Sequence, residues 1–259
     1  MKIKILTLFP EMFKGFISES IIKRAIEKEV CEIEIIDIRK YSPEKHHHVD
    51  DTPCGGGAGM VLRCDIVDMA ISDNKTDKSQ VILMTPQGIP YSDKLARDLT
   101  KYDELVLVCG HYEGFDERIR SMANMEISIG DYVLTGGELP AMIVSDSVIR
   151  LLDNAIRKES SEDDSFSNGL LEYPQYTRPV SYKGMDVPEV LLSGNHKEIN
   201  RFRLKESIRR TYLKRPDLLE KKELSKEEKV LLEEVIKEEN VWEKLVYYYI
   251  SQAYLQILV

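Results

Sequence analysis

Through roughly its first 150 residues the chain alternates short apolar blocks with stretches whose apolar positions recur at helical spacing. Ile3–Phe9 reads as a strand, Ser18 can cap a helix running to about Lys28, and Cys31–Ile38 returns to strand, with Glu32, Glu34 and Asp37 on its less apolar positions. That order is a βαβ unit. After a loop from Tyr41 to Gly59, the pattern predicts a helix over Asp65–Asp73, a strand over Val81–Met84 and a helix over Ser92–Thr100. Strands over Glu104–Cys109 and Glu126–Ile129 and a helix over Glu138–Leu152 follow. Such alternation implies an α/β domain with a mostly parallel sheet and helices on both faces.

Three of these strands run directly into glycine-bearing loops, within Val81–Pro90, Leu105–Arg118 and Glu126–Pro140. In an open α/β sheet, ligands lie beyond the carboxyl ends of parallel strands, where main-chain groups are available and glycines let a substrate approach. Two of the loops carry acids, Glu113, Asp116, Glu117, Asp131 and Glu138. They suit a cationic or zwitterionic small molecule better than an anionic dinucleotide.

Beyond the last predicted helix the pattern changes. Arg157–Asn168 is polar and serine-rich and reads as a linker, while Tyr173–Val259 looks predominantly helical. This second part contains a mixed-charge segment, Leu218–Glu239, and an apolar, aromatic end. In that end Trp242, Leu245, Tyr248 and Tyr249 recur at helical spacing, as core packing or a docking helix. The expected division is therefore a domain over 1–156, a linker over 157–172 and a smaller helical domain over 173–259.

Composition agrees with two domains. At 259 residues the chain is near the size where one core stops growing, and 42% hydrophobic with 31% charged residues is ordinary for a soluble protein. No uninterrupted apolar run is long enough to span a bilayer, and Met1–Phe9, followed by Pro10-Glu11, reads as a first strand, not a signal peptide. Four cysteines without a CxxC pair point to a reduced, cytoplasmic protein.

The net charge of −9 disfavours nucleic acid on average, yet Lys197–Arg215 holds eight basic residues against two acidic ones. On a helix Arg201, Lys205 and Arg209 share one face, a natural partner for a phosphate backbone.

Other features carry chemistry less directly. The stretch Cys54–Met60 could cradle phosphate, but lacks the Lys-Ser/Thr of a P-loop and is as readily a flexible turn. His46, His47 and His48 are adjacent and cannot all converge on one ion from a strand, so an exposed loop is favoured over a metal site. Glu113, flanked by Gly110 and Gly114, is aimed at a ligand more plausibly than an isolated surface acid. Asp163-Asp164-Ser165-Phe166 is either a solvated charge run or part of a functional lid.

Leu8–Phe13, Val49-Asp50-Asp51 with the glycine stretch, Cys109–Arg118, Ser128–Pro140 and Leu191–His196 together resemble the bacterial tRNA (guanine-N1)-methyltransferases, the TrmD family. The likeness runs in order from residue 2 to about residue 220. It implies a SPOUT-type α/β domain with a deep trefoil knot, S-adenosylmethionine bound in the knot and a homodimer whose active site lies at the subunit interface. It further implies methylation of N1 of guanosine 37 in tRNAs with guanosine at position 36, which protects the reading frame, and use of magnesium with no ligands assigned.

Carried over by position, the resemblance assigns the cofactor cradle to Thr85, Pro86 and Gly88; to Gly110, Tyr112, Glu113 and Gly114; and to Ile129, Gly130, Tyr132, Leu134, Gly136, Gly137 and Pro140. Asp164 matches the general base, Arg150 the arginine that orients the guanine, and Asp50, Ser165 and His196 positions near the substrate. Departures are Cys54, where an aromatic is common, Phe202, where tryptophan is frequent, and a linker one residue shorter between Arg150 and Asp164.

Two rivals stand beside this reading. An RNA-binding regulator on an inactive cofactor fold would not need Asp164, Arg150 and an intact Gly110–Gly114 loop. A related SPOUT enzyme acting on ribose or a ribosomal base would not be expected to carry Leu191–His196 before a basic helix.

Overall fold

The computed structural model describes residues 1–156 and 164–240. They fall into two compact units, Met1–Ser161 and Glu162–Val259. Linker residues 157–163 and the tail 241–259, with Trp242, Leu245, Tyr248 and Tyr249, lie outside the described residues.

The first unit is built on five parallel strands: β1 (Lys2–Thr7), β2 (Glu32–Asp37), β5 (Ser79–Pro90), β6 (Glu104–Cys109) and β7 (Met125–Ser128), in the order β2-β1-β6-β5-β7. Two-residue strands β3 (Asp50–Asp51) and β4 (Val61–Leu62) form a separate antiparallel hairpin. Its tip is the glycine stretch, where Gly55, Gly56, Gly57 and Gly59 all take positive φ.

Period-two alternation explains why the central strands are apolar throughout. In β6, Leu105, Leu107 and Cys109 face one core layer, while Val106 and Val108 face the other. Helices cover both layers. On the first, α2 (Ser20–Glu27) contributes Ile22 and Ala25, and α6 (Glu138–Ile149) contributes Ala141, Val144 and Val148. On the second, α3 (Cys64–Asn74) packs Ile66, Val67, Ala70 and Ile71. Shorter helices α1 (Lys14–Ser18), α4 (Asp93–Leu99) and α5 (Glu117–Arg120) complete the unit.

Strand β5 is longer than its apolar block predicts. Its pairing with β7 runs through Ile82↔Met125 to Met84↔Ile127, shifts, and resumes at Ile89↔Ile127 and Pro90↔Ser128. Thr85–Gly88 is thus a bulge whose main chain leaves the ladder. Gly88 is required there, because a Cβ would come 2.4 Å from the Glu126 carbonyl carbon and the Ile127 nitrogen.

The second unit contains the hairpin β8 (Ser181–Tyr182) and β9 (Met185–Asp186) and the helices α7 (Glu189–Leu192), α8 (His196–Lys214) and α9 (Pro216–Lys221). Residues 226–240 are helical as well. Its small core joins Leu170, Ile208, Leu231 and Val235. Residues 164–172, expected to belong to a linker, are therefore anchored: Leu170 is fully buried, and truncating such a side chain costs about 2–5 kcal/mol. No helix among the described residues is long and apolar enough to cross a membrane.

Candidate functional site

Beyond the carboxyl ends of β5, β6 and β7 lies a cavity of about 450 Å³, within the roughly 300–1,000 Å³ range of small-molecule sites. The β5 bulge supplies Thr85 and Pro86, and the loop after β6 supplies Gly110, Tyr112, Glu113 and Gly114. The loop after β7 supplies Ile129, Gly130, Tyr132, Leu134, Gly136 and Gly137, and Pro140 comes from the first turn of α6. Gly88 does not line it. That glycine opens on a neighbouring recess with Asn124 and Glu126, and the close approach of the bulge to β7 accounts for it.

The loops are tied by main-chain bonds. Gly137 N donates to Gly110 O at 2.8 Å, and His111 and Gly136 form an antiparallel bridge. A Cβ on Gly137 would sit 2.7 Å from the Cys109 Cα and the Gly110 nitrogen, so only glycine lets α6 start against the end of β6. Glu113 N donates to Met60 O and Leu62 N to Gly114 O, fastening the second loop to the β3–β4 hairpin. Asp116 caps α5 by accepting from Arg118 N at 2.9 Å. The Arg118 guanidinium and backbone hold its carboxyl at a pKa of about 2.

Several cavity residues escaped the sequence reading. Gln87, His111, Phe115, Arg120, Ser128 and Thr135 line it too, as does Glu117, one of the loop acids read from the sequence. His111 stands inside the Gly110–Gly114 motif, the one signal that could have found it. Its Nδ1 is buried without a hydrogen-bond partner, and its ring meets Phe9 and Tyr112 edge-on at 4.9 and 4.8 Å.

Charge at the cavity is mixed, with Glu113 and Glu117 against an Arg120 that pairs with Glu117 and Glu126. Glu138 plays another part. It is 2% exposed, accepts from the Thr7 hydroxyl at 2.7 Å and sits in the first turn of α6, where the helix dipole favours a carboxylate. Burial, with the Glu138 charge, pushes the Cys109 thiol well above its ordinary pKa, so it is no nucleophile.

The remaining site positions are distributed. Arg150 caps the carboxyl end of α6, and Asp50 lies on β3. In the second unit Asp164 lines a recess of about 330 Å³ with Tyr173, Asn200 and Arg203. Ser165 Oγ accepts from Glu172 N at 2.9 Å. His196 opens α8, behind the Asn195 cap.

The basic stripe takes a different form from its prediction. Arg201 pairs with Glu234 at 2.6 Å, Lys205 with Glu234 at 3.0 Å and Glu238 at 2.7 Å, and Arg209 with Glu206, Glu238 and Glu239. The four-residue spacing of the cations is matched by Glu234 and Glu238 on the helix over 226–240. Burial alone would lower the Lys205 pKa, but Glu238 and Glu234 outweigh it and the net shift is upward. The surplus cations were legible; their partners, some thirty residues downstream, were not. Among the described residues Lys197, Arg210 and Lys214 make no ion pair, and Arg203 lies over the Tyr173 ring at 4.9 Å.

His46, His47 and His48 are exposed, His48 contacting Glu44 at 3.1 Å. Among the described residues no group of three or more His, Cys, Asp or Glu could hold a metal ion.

Comparison with known proteins places this geometry. The family model described as tRNA (Guanine-1)-methyltransferase TrmD matches residues 1–221. A tRNA (guanine-N(1)-)-methyltransferase of Fusobacterium nucleatum is 57% identical over 233 residues, covering 90% of this chain and 97% of that protein. One of Bacillus cereus is 55% identical over 234 residues, 88% of this chain and 96% of that protein. The chain therefore belongs to the tRNA (guanine-1)-methyltransferase TrmD family.

Proposed function

We propose that this protein transfers a methyl group from S-adenosylmethionine to N1 of guanosine 37 in tRNAs with guanosine at position 36, in the cytoplasm. The observation that carries the reading is the convergence of three sequence-distant loops on one cavity at the ends of β5, β6 and β7. The residues present fit the cofactor. The bulged main chain at Thr85–Gln87 and the glycine-bearing loops after β6 and β7 offer an adenine polar contacts, Glu113 and Glu117 suit a cationic centre, and the His111 Nδ1 is left without a partner.

When bound, S-adenosylmethionine supplies a methyl group on a sulfonium, which leaves as a neutral thioether. The rest falls to the protein. N1 of guanine carries a proton at neutral pH and its lone pair is not free to attack, so a base must take that proton as the methyl arrives. Asp164 is that base. Negative charge then spreads toward O6, where the fixed guanidinium of Arg150 stabilises it. In-line placement supplies much of the remaining acceleration. Magnesium enters the same proposal with no ligands assigned: among the described residues no group of three or more His, Cys, Asp or Glu could hold it, and the ion is commonly held by one or two carboxylates with water and substrate oxygens.

A knotted SPOUT chain, threaded through the loops after β5, β6 and β7, belongs to the same proposal, as does a division into a cofactor domain over 1–156 and a helical tRNA-binding domain over 173–259, with 164–172 of the expected linker packed on the second. So does a homodimer with the active site between subunits: Phe9, Met12, Leu139 and Ile143 are apolar and 36–50% exposed, the last two one turn apart on α6. Asp50, Ser165 and His196 are assigned to the RNA near the target base. Phosphate contacts fall first to Lys197, Arg210 and Lys214, with Arg201, Lys205 and Arg209 joining when released from their carboxylates.

The test is labelled S-adenosylmethionine with two tRNA transcripts that differ only at position 36. Label is expected in the transcript with guanosine there and nearly absent from the other. Label in neither would overturn the proposal in favour of an RNA-binding regulator.

A further inference from the structure

The segment carrying Asp164 is latched to α8 through one residue, Leu171, whose two main-chain groups both end on helix hydroxyls. Leu171 N donates to Thr211 Oγ1 at 2.9 Å, and Ser207 Oγ donates to Leu171 O. Thr211 Oγ1 also donates to Ser207 O at 2.7 Å, so its single proton and one lone pair are both in use. Both hydroxyls are shielded, Thr211 fully and Ser207 to within 5%. Beside them Leu170 is buried against Ile208, Leu231 and Val235.

From Leu171 the bonds run back toward Asp164 in short steps. Phe166 N donates to Leu170 O at 2.7 Å, Glu172 N to Ser165 Oγ at 2.9 Å, and Ser167 Oγ to Asp164 O at 2.7 Å. Lys222 Nζ reaches Asn168 O at 2.7 Å from the other side. Asp164 is thus a fixture of the unit that contains α8, and its main chain is held by a network whose far end is the Thr211 hydroxyl.

We propose that Thr211, seconded by Ser207, is a positioning residue for Asp164: its hydroxyl fixes Leu171 and through it the height and direction of the carboxylate that takes the guanine proton. This rests on the reading of Asp164 as the base. Serine and threonine are common in helices without such a task, but here the hydroxyl reaches outside its own helix to satisfy a main-chain group of another segment. Replacing Thr211 with valine keeps the volume, strands the Leu171 N–H and lets the segment drift.

The experiment compares Thr211→Val, Thr211→Ser and Ser207→Ala in the full-length protein, measuring kcat for tRNA methylation, KM for S-adenosylmethionine and Kd for tRNA. A displaced base affects the chemical step and not binding, so Thr211→Val is expected to lower kcat about ten- to a hundredfold, with KM for the cofactor and Kd for tRNA within about twofold. Thr211→Ser restores the hydroxyl and is expected within about twofold of the parent. Ser207→Ala, which leaves the Thr211 bond in place, is expected to lose about threefold and covers the case in which the valine variant does not fold.

A kcat unchanged in Thr211→Val, or reduced equally in Thr211→Ser, would overturn the inference. So would a loss expressed only in Kd for tRNA. Asp164→Asn is run in parallel to separate the two claims: if it retains turnover the base assignment fails, whereas an inactive Asp164→Asn beside a fully active Thr211→Val removes the latch and leaves the base.

Discussion

The cavity of the first unit and the basic helix of the second are built on opposite principles. Main chain shapes the cavity: a bulge in β5, a glycine contact between Gly137 and Gly110, and a carboxylate, Glu138, sunk at a helix start. Side-chain charge shapes the helix, with Arg201, Lys205 and Arg209 held by Glu234, Glu238 and Glu239 at the surface. A main-chain cradle cannot adjust without moving strands, so its shape is set before a ligand arrives. Ion pairs open to solvent exchange partners at small cost, so phosphates can take the place of carboxylates most readily at the exposed Arg201 and less so at the half-buried Lys205 and Arg209.

The largest effect is expected at the proposed base. Asp164→Asn should lower methyl transfer by about 10²–10⁴-fold, while cofactor affinity, read by calorimetry, stays within about twofold. Near-parental turnover would remove Asp164 from its role.

Next comes the rigid side of the contrast. Gly137→Ala places a Cβ 2.7 Å from the Cys109 Cα, and the strand end must shift, an overpacking cost of about 1–3 kcal/mol. A lowered melting temperature and weakened cofactor binding should appear together. Unchanged cofactor affinity would mean that the cradle adjusts as easily as the helix.

The adjustable side is sharpened by salt. Neutralising Lys197, Arg210 and Lys214 to Gln should weaken tRNA binding and flatten the dependence of log K on log salt by about one unit per cation. Replacing Glu234 and Glu238 with Gln should do the reverse, tightening binding as the stripe is released. If the Gln pair leaves tRNA affinity unchanged, those cations serve the fold alone.

The smallest effect concerns pH. The Asp116 carboxyl, at about 2 in the folded chain, lies below its unfolded value, which is near 3.9. A depressed carboxyl stabilises above the unfolded pKa and loses that contribution as pH falls through the folded one. The cap should hold down to about pH 4 and fade toward pH 2. Asp116→Asn should remove that acid dependence from the thermal unfolding curve.

The same contrast explains what the sequence disclosed. The parallel sheet and the loops at its strand ends were legible because both follow from neighbours in sequence: alternating apolar blocks, then glycines. Thr85, Gly110, Gly130 and Gly137 fall where those loops place them. At Gly88 the sequence left two readings alike, since a glycine demanded by close strand approach looks like one that admits a ligand. The partners of the stripe stayed hidden for another reason, since a run of cations announces itself while Glu234 and Glu238, far along the chain, do not. Burial of Leu170 and the bonding of Leu171 to Thr211 depend on the folded second unit, so 164–172 read as linker from its polar composition.

The most direct test is mass spectrometry of nucleosides from a tRNA carrying guanosine at positions 36 and 37, treated with the protein and S-adenosylmethionine. One added methyl on the base of guanosine 37, at N1, is the expected result. A methyl on the ribose, on another nucleoside, or none at all would contradict the account.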